Sequence, residues 1–132
     1  MSAPWQAIVA LVWAIVGLPW LAYAATRPAK GRLLLHAWLM GLAVLVEVGV
    51  VVSFTTLEPH PRRTALAQLP FFRIHLAFAI GSLIGMAWQL VSRTSPRLRP
   101  LHRVTGPYVV LIWSLALLTG IYNYFFLYVL AP

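Results

Sequence analysis

The stretch Leu33-Leu-Leu-His36-Ala-Trp-Leu-Met40-Gly-Leu-Ala-Val-Leu-Val-Glu47-Val-Gly-Val-Val-Val-Ser-Phe-Thr-Thr56 decides the fold. It exceeds the roughly 20 apolar residues that a helix needs to cross a ~30 Å hydrocarbon core, and it holds one carboxylate, Glu47, deep inside. Lipid offers no water to backbone amides, so a continuous apolar run of this length must be a helix and not a barrel strand. Working outward, the same criterion marks Trp5 to Ala25, Pro70 to Val91 and Leu101 to Leu130. The expected architecture is all-α: an integral membrane four-helix bundle with short connections, a single transmembrane domain over residues 1–132.

Composition agrees. Of 132 residues, 61% are apolar and only 9% charged, too greasy for a soluble domain and too short for two. Cysteine is absent, which excludes disulfides, thiolate metal sites, iron–sulfur clusters and thioether-linked haem. The start, Met1-Ser-Ala-Pro4, carries no basic side chain, so the first apolar run is expected to be a retained helix and not a cleaved signal peptide.

Basic residues sit beside the expected helix ends. Arg27, Lys30 and Arg32 follow the first span, and Arg93, Arg97, Arg99 and Arg103 surround the link after the third. Arg62, Arg63 and Arg73 flank the central loop. That asymmetry places the first and third links in the cytoplasm and both termini outside. The net charge of +8 therefore speaks to topology and anionic lipid, and no soluble basic module exists to present it to nucleic acid.

Four histidines, His36, His60, His75 and His102, lie at or near ends of the four spans. Topology sorts them into two layers, His36 with His102 on the cytoplasmic side and His60 with His75 on the other. Imidazole titrates near neutrality and ligates metals or haem iron, so each layer is a candidate two-ligand site. A histidine at a membrane interface can equally well bond a neighbouring carbonyl.

Glu47 follows His36 by eleven residues, which at 100° per residue returns to nearly the same direction, so His36, Met40 and Glu47 form one stripe. His75, Ser82, Met86 and Gln89 form a similar stripe on the third span. An ionisable group this deep costs about 2.5–3.5 kcal/mol even on the lenient insertion scale, so both faces are expected to look inward. Glu47 and Gln89 are the intramembrane polar residues to explain, by packing, by a proton or ligand role, or by contact with a partner subunit. Met40 and Met86 add soft sulfur as candidate metal ligands beside the histidines.

Other features serve packing. Gly81-Ser-Leu-Ile-Gly85 is a small-xxx-small stripe, Pro19 and Pro107 interrupt helices, and Trp5, Trp20, Tyr108 and Tyr128 suit the aromatic belts. The chain has no aspartate and no phosphate-binding glycine loop, which argues against Ser-His-Asp chemistry and nucleotide use. Redox, metal handling, or assembly with other membrane proteins remain.

His102-Arg103, then Trp113, Thr119-Gly120, Tyr122 and Tyr128, resembles the last helix of the CtaM/YozB family of small four-helix membrane proteins. His36-Ala-Trp-Leu-Met40 is similar to that family's entry to helix two, Ile74-His75-Leu76-Ala77 to its entry to helix three, and His60 falls where the family has a histidine. Glu47 is not part of that pattern. The resemblance implies a role in the assembly or function of a haem–copper terminal oxidase in a bacterial cytoplasmic membrane. It implies the four histidines as sites for haem b or copper, with the oxidase or another respiratory complex as partner. Two further functions are open: a b-type di-haem cytochrome carrying electrons, and a cofactor-free accessory subunit of a respiratory complex. None of the three is an enzyme in its own right.

Overall fold

The computed structural model describes residues 3–57 and 65–130, and over them the chain is four long helices. They are α1 (Trp5–Thr26), α2 (Leu33–Leu57), α3 (Pro70–Thr94) and α4 (Arg99–Phe125), and Phe126–Leu130 continue the last helix in a wider, π-helical winding. All four are long and apolar enough to cross a membrane, as their sequences require. His60 and the basic pair Arg62 and Arg63 lie outside the described residues.

Local chemistry sets the ends. Pro4 precedes α1 in an extended conformation and Pro70 opens α3, positions where a missing N–H costs nothing. α3 runs past Val91 to Thr94 because the polar residues there still bond within the helix, Thr94 Oγ1 donating to the Val91 carbonyl at 2.8 Å. It stops where Pro96 drives Ser95 into extended backbone at φ −100°, ψ 127°. Between α1 and α2 the chain reverses through Gly31 at φ 71°, a left-handed conformation that suits glycine. The guanidinium of Arg27 lies 3.9 Å from the ring centroid of Tyr23, and Arg27 Nε donates to the Tyr23 carbonyl.

Hydroxyls inside the spans are neutralised on their own helices: Ser82 Oγ donates to Ala79 O at 2.8 Å and Ser53 Oγ to Val50 O at 2.7 Å. Between helices, lipid tails are as apolar as leucine, so close fit decides who packs on whom. α3 packs most extensively on α4, and α1 lies against both α2 and α4. The stripe Gly81/Gly85 makes the α3–α4 contact possible: a Cβ on Gly85 would lie 2.9 Å from both methyls of Val109, and one on Gly81 would lie 3.3 Å from Ile112. Trp13, Ala14, Leu21, Ala43, Met86, Trp113 and Leu117 form the buried core.

α2 and α3 do not close on one another to a comparable extent, so the bundle has a seam between them. Leu45, Val52, Ile80, Ile84 and Leu90 are among the large side chains exposed on these two helices, as a lipid-facing surface requires. The seam positions the site described next.

Candidate functional site

Each described histidine uses its Nδ1 to tie two helix segments together. His36 Nδ1 lies 2.8 Å from the carbonyl of Ala24, joining α2 to α1. His75 Nδ1 lies 3.1 Å from the carbonyl of Ala116 and 3.0 Å from Thr119 Oγ1, joining α3 to α4. A carbonyl only accepts, and Thr119 already donates to Leu115 and Ala116, so His75 Nδ1 carries the proton. In the neutral ring Nε2 is then an acceptor with no partner among the described residues. Gly120 makes room for this: a Cβ there would meet His75 Cε1 at 3.3 Å.

His102 is set differently. Its Nδ1 is 3.0 Å from the backbone carbonyl of Gln89, which needs a donor. With the Gln89 amide turned so that both its ends are satisfied, its nitrogen lies 2.9 Å from the same Nδ1, which needs an acceptor. One tautomer serves one contact, and Nε2 is free to ligate only in the tautomer that donates to the carbonyl. His36 stands near His102 at one end of the bundle, while His75 belongs to the opposite half.

Glu47 joins three helices. Its Oε2 accepts from Trp13 Nε1 of α1 at 2.6 Å and from Trp113 Nε1 of α4 at 3.0 Å, and the residue is 8% exposed. Indole N–H groups only donate, so Oε2 is an acceptor in either protonation state and any proton on the carboxyl sits on Oε1. Oε1 has no hydrogen bond among the described residues, and Glu47 belongs to the wall of the cavity below. The stripe of Glu47 and His36 thus faces α1, and the stripe of His75, Ser82, Met86 and Gln89 faces α4, where Gln89 meets Thr105. Met86 is buried among Trp13, Trp113 and Leu117, and Met40 packs on that cluster.

A cavity of about 510 Å³ lies at the α2–α3 seam, backed by α1 and α4. Its walls are largely apolar, with Glu47, Thr55, His75, Asn123, Tyr124 and Tyr128 as the polar exceptions. A volume of this size suits a molecule of ordinary ligand dimensions. Asn123 is 5% exposed, and neither its Nδ2 nor its Oδ1 has a partner.

Sequence patterning brought out Glu47 and the histidines but not Trp13, Asn123 or the cavity. Trp13 sits mid-span, where an indole N–H must find an acceptor, and that requirement was the available signal. Asn123 lies in a run of aromatics, and nothing in its spacing announces it. Among the described residues no three of His, Asp or Glu converge as a metal cluster. No family model matches the chain, and no curated protein sequence or solved structure matches it.

Proposed function

We propose that the chain is a small multi-pass protein of a bacterial cytoplasmic membrane that supports assembly or function of a haem–copper terminal oxidase. In this role histidine Nε2 atoms offer a transient site to haem or copper. The observation that carries the ligand part is the contact of His36, His75 and His102 Nδ1 with backbone carbonyls. Metal-binding histidines characteristically donate their other ring N–H to such an acceptor, which fixes the tautomer and raises the basicity of Nε2. The resemblance of the His-bearing segments to the CtaM/YozB family supports the oxidase part.

Among the described residues the donor set suits a two-ligand site, as haem iron needs, better than a three-ligand copper centre. His36 and His102 share one end of the bundle, and His75 stands beside the cavity at the other. When bound, haem or copper would supply one-electron chemistry; the residues of this chain hold and orient it. With Met40 and Met86 committed to the core, the histidines carry the ligand role. Glu47 Oε2 is engaged by the chain's own tryptophans.

Deleting the gene in its host and measuring terminal-oxidase turnover and the oxidase spectrum in membranes tests the role. Loss of both, restored by the wild-type gene and not by a His36→Ala/His102→Ala form that still reaches the membrane, is expected. Unchanged oxidase in the deletion strain would refute it.

A further inference from the structure

The cavity at the α2–α3 seam shares His75 with the function proposed above, and its wall carries further hydrogen-bonding groups with unused capacity. Glu47 presents Oε1, because Oε2 is taken by Trp13 and Trp113. His75 presents Nε2 as an acceptor, because Nδ1 donates to Ala116 and Thr119. Asn123, another residue of this wall, is 5% exposed, with both amide atoms buried and without a partner among the described residues. An apolar cavity has no need of such groups, and leaving them unmet is costly.

Their spacing constrains the occupant. Along α4, Trp113 marks the level of Glu47, and Ala116 to Thr119 mark that of His75, an axial offset of about 4.5–9 Å at 1.5 Å per residue. Hydroxyls on opposite edges of one aromatic ring bridge that gap with hydrogen bonds of ordinary length. Asn123 stands one turn beyond Thr119, about 6 Å further. The position of the cavity at the seam of two lipid-facing helices makes the bilayer its source of ligand. A charged phospholipid headgroup is poorly suited to this depth, and a fatty acid would set a second carboxylate against Glu47. One acceptor, His75 Nε2, and one carboxyl oxygen, Glu47 Oε1, beside a mostly apolar volume with Trp13, Phe54 and Phe72 on its walls call for an uncharged aromatic ring bearing two hydroxyls, which can donate or accept, and an apolar tail.

We propose that the cavity is a binding site for a lipid-soluble dihydroxyaromatic compound, a quinol. One hydroxyl donates to His75 Nε2, the other pairs with Glu47 Oε1, and the tail leaves between α2 and α3. The proposal is one of binding and needs no metal; because it draws on His75 Nε2, a quinol and a metal at His75 exclude one another.

The test uses the full chain in phosphatidylcholine nanodiscs, titrated with decyl-benzoquinol kept reduced and read by quenching of tryptophan fluorescence, since Trp13 lines the site. The dimethyl ether of the same quinol has the same ring and tail without donors. Saturable quinol binding, with the ether weaker by about ten-fold or more, is expected from the loss of two hydrogen bonds. Glu47→Gln should turn its NH₂ into the cavity, because its carbonyl must serve the indoles, and so shift preference from quinol toward the oxidised quinone. Ala79→Phe, on the cavity wall, should abolish saturable binding while leaving the far-UV circular dichroism unchanged. Should Glu47→Gln fail to fold, the ether comparison on wild-type protein and Ala79→Phe still decide. Equal binding of quinol and ether, quenching that does not saturate, or quenching untouched by Ala79→Phe would overturn the proposal.

Discussion

Replacing Trp113 by Phe removes one of the two donors to Glu47 Oε2, a bond of 3.0 Å, and keeps an aromatic ring in place. In the wild-type background the loss should destabilise by about 0.6–1.7 kcal/mol, the range for hydrogen bonds between membrane helices. In a Glu47→Ala background the same change should act with the opposite sign. There the two indoles have lost their acceptor, each orphaned N–H costs about 1–3 kcal/mol, and Trp113→Phe deletes one of them. The ring-size change is common to both backgrounds and cancels in the double-mutant cycle, leaving a coupling of about 1.6–4.7 kcal/mol. Glu47→Ala alone is less informative, since two orphaned donors, about 2–6 kcal/mol together, are offset by removing a buried ionisable group worth about 2.5–3.5 kcal/mol. The assay is reversible SDS-driven unfolding in mixed micelles, followed by far-UV circular dichroism because the tryptophans are being changed. Additive effects within about 0.5 kcal/mol would refute the bridge as a shared acceptor.

Gly85→Ala places a methyl 2.9 Å from both methyls of Val109 and should cost about 1–3 kcal/mol in the same assay, with Gly85→Ala/Val109→Ala recovering most of it. Gly120→Val should push the His75 ring off Ala116 and Thr119, moving the His75 imidazole nitrogen shifts in ¹⁵N NMR while those of His36 stay fixed. Trp20→Phe deletes the 2.9 Å bond from Nε1 to the Leu39 carbonyl and should cost about 0.5–1.5 kcal/mol by SDS unfolding, since α1 and α2 are otherwise tied there only by packing and His36.

The four helices were legible because lipid admits only one backbone solution for a long apolar run; the start at Pro70 was legible too, whereas hydropathy ends the third span at Val91, short of Thr94, because it drops where the polar residues begin. The inward stripes were legible by angle arithmetic, which depends on one helix at a time. What such arithmetic cannot reach is which helix a stripe faces. Glu47 and Trp113 are far apart in sequence, and their meeting depends on α4 packing against α1 while α3 is held away from α2. That arrangement is set by van der Waals fit at Gly17, Gly81 and Gly85, to which hydropathy is blind. The same blindness hid the seam, its cavity and Asn123. Histidines at helix ends were visible in sequence, whereas the carbonyls that fix their tautomers were not. Trp20, expected in an aromatic belt, donates to the Leu39 carbonyl of α2.

The ligand role of the histidines is tested most directly by absorption spectra of the detergent-purified chain, oxidised and dithionite-reduced, with iron and copper measured on the same sample. A Soret band with sharp reduced α and β bands, or copper at near-stoichiometric level, should accompany the wild-type protein and fall away in His36→Ala, His75→Ala or His102→Ala forms that keep their helical spectrum. A folded wild-type protein purified from haem- and copper-replete cells with neither signal, and taking up neither on addition, would contradict it.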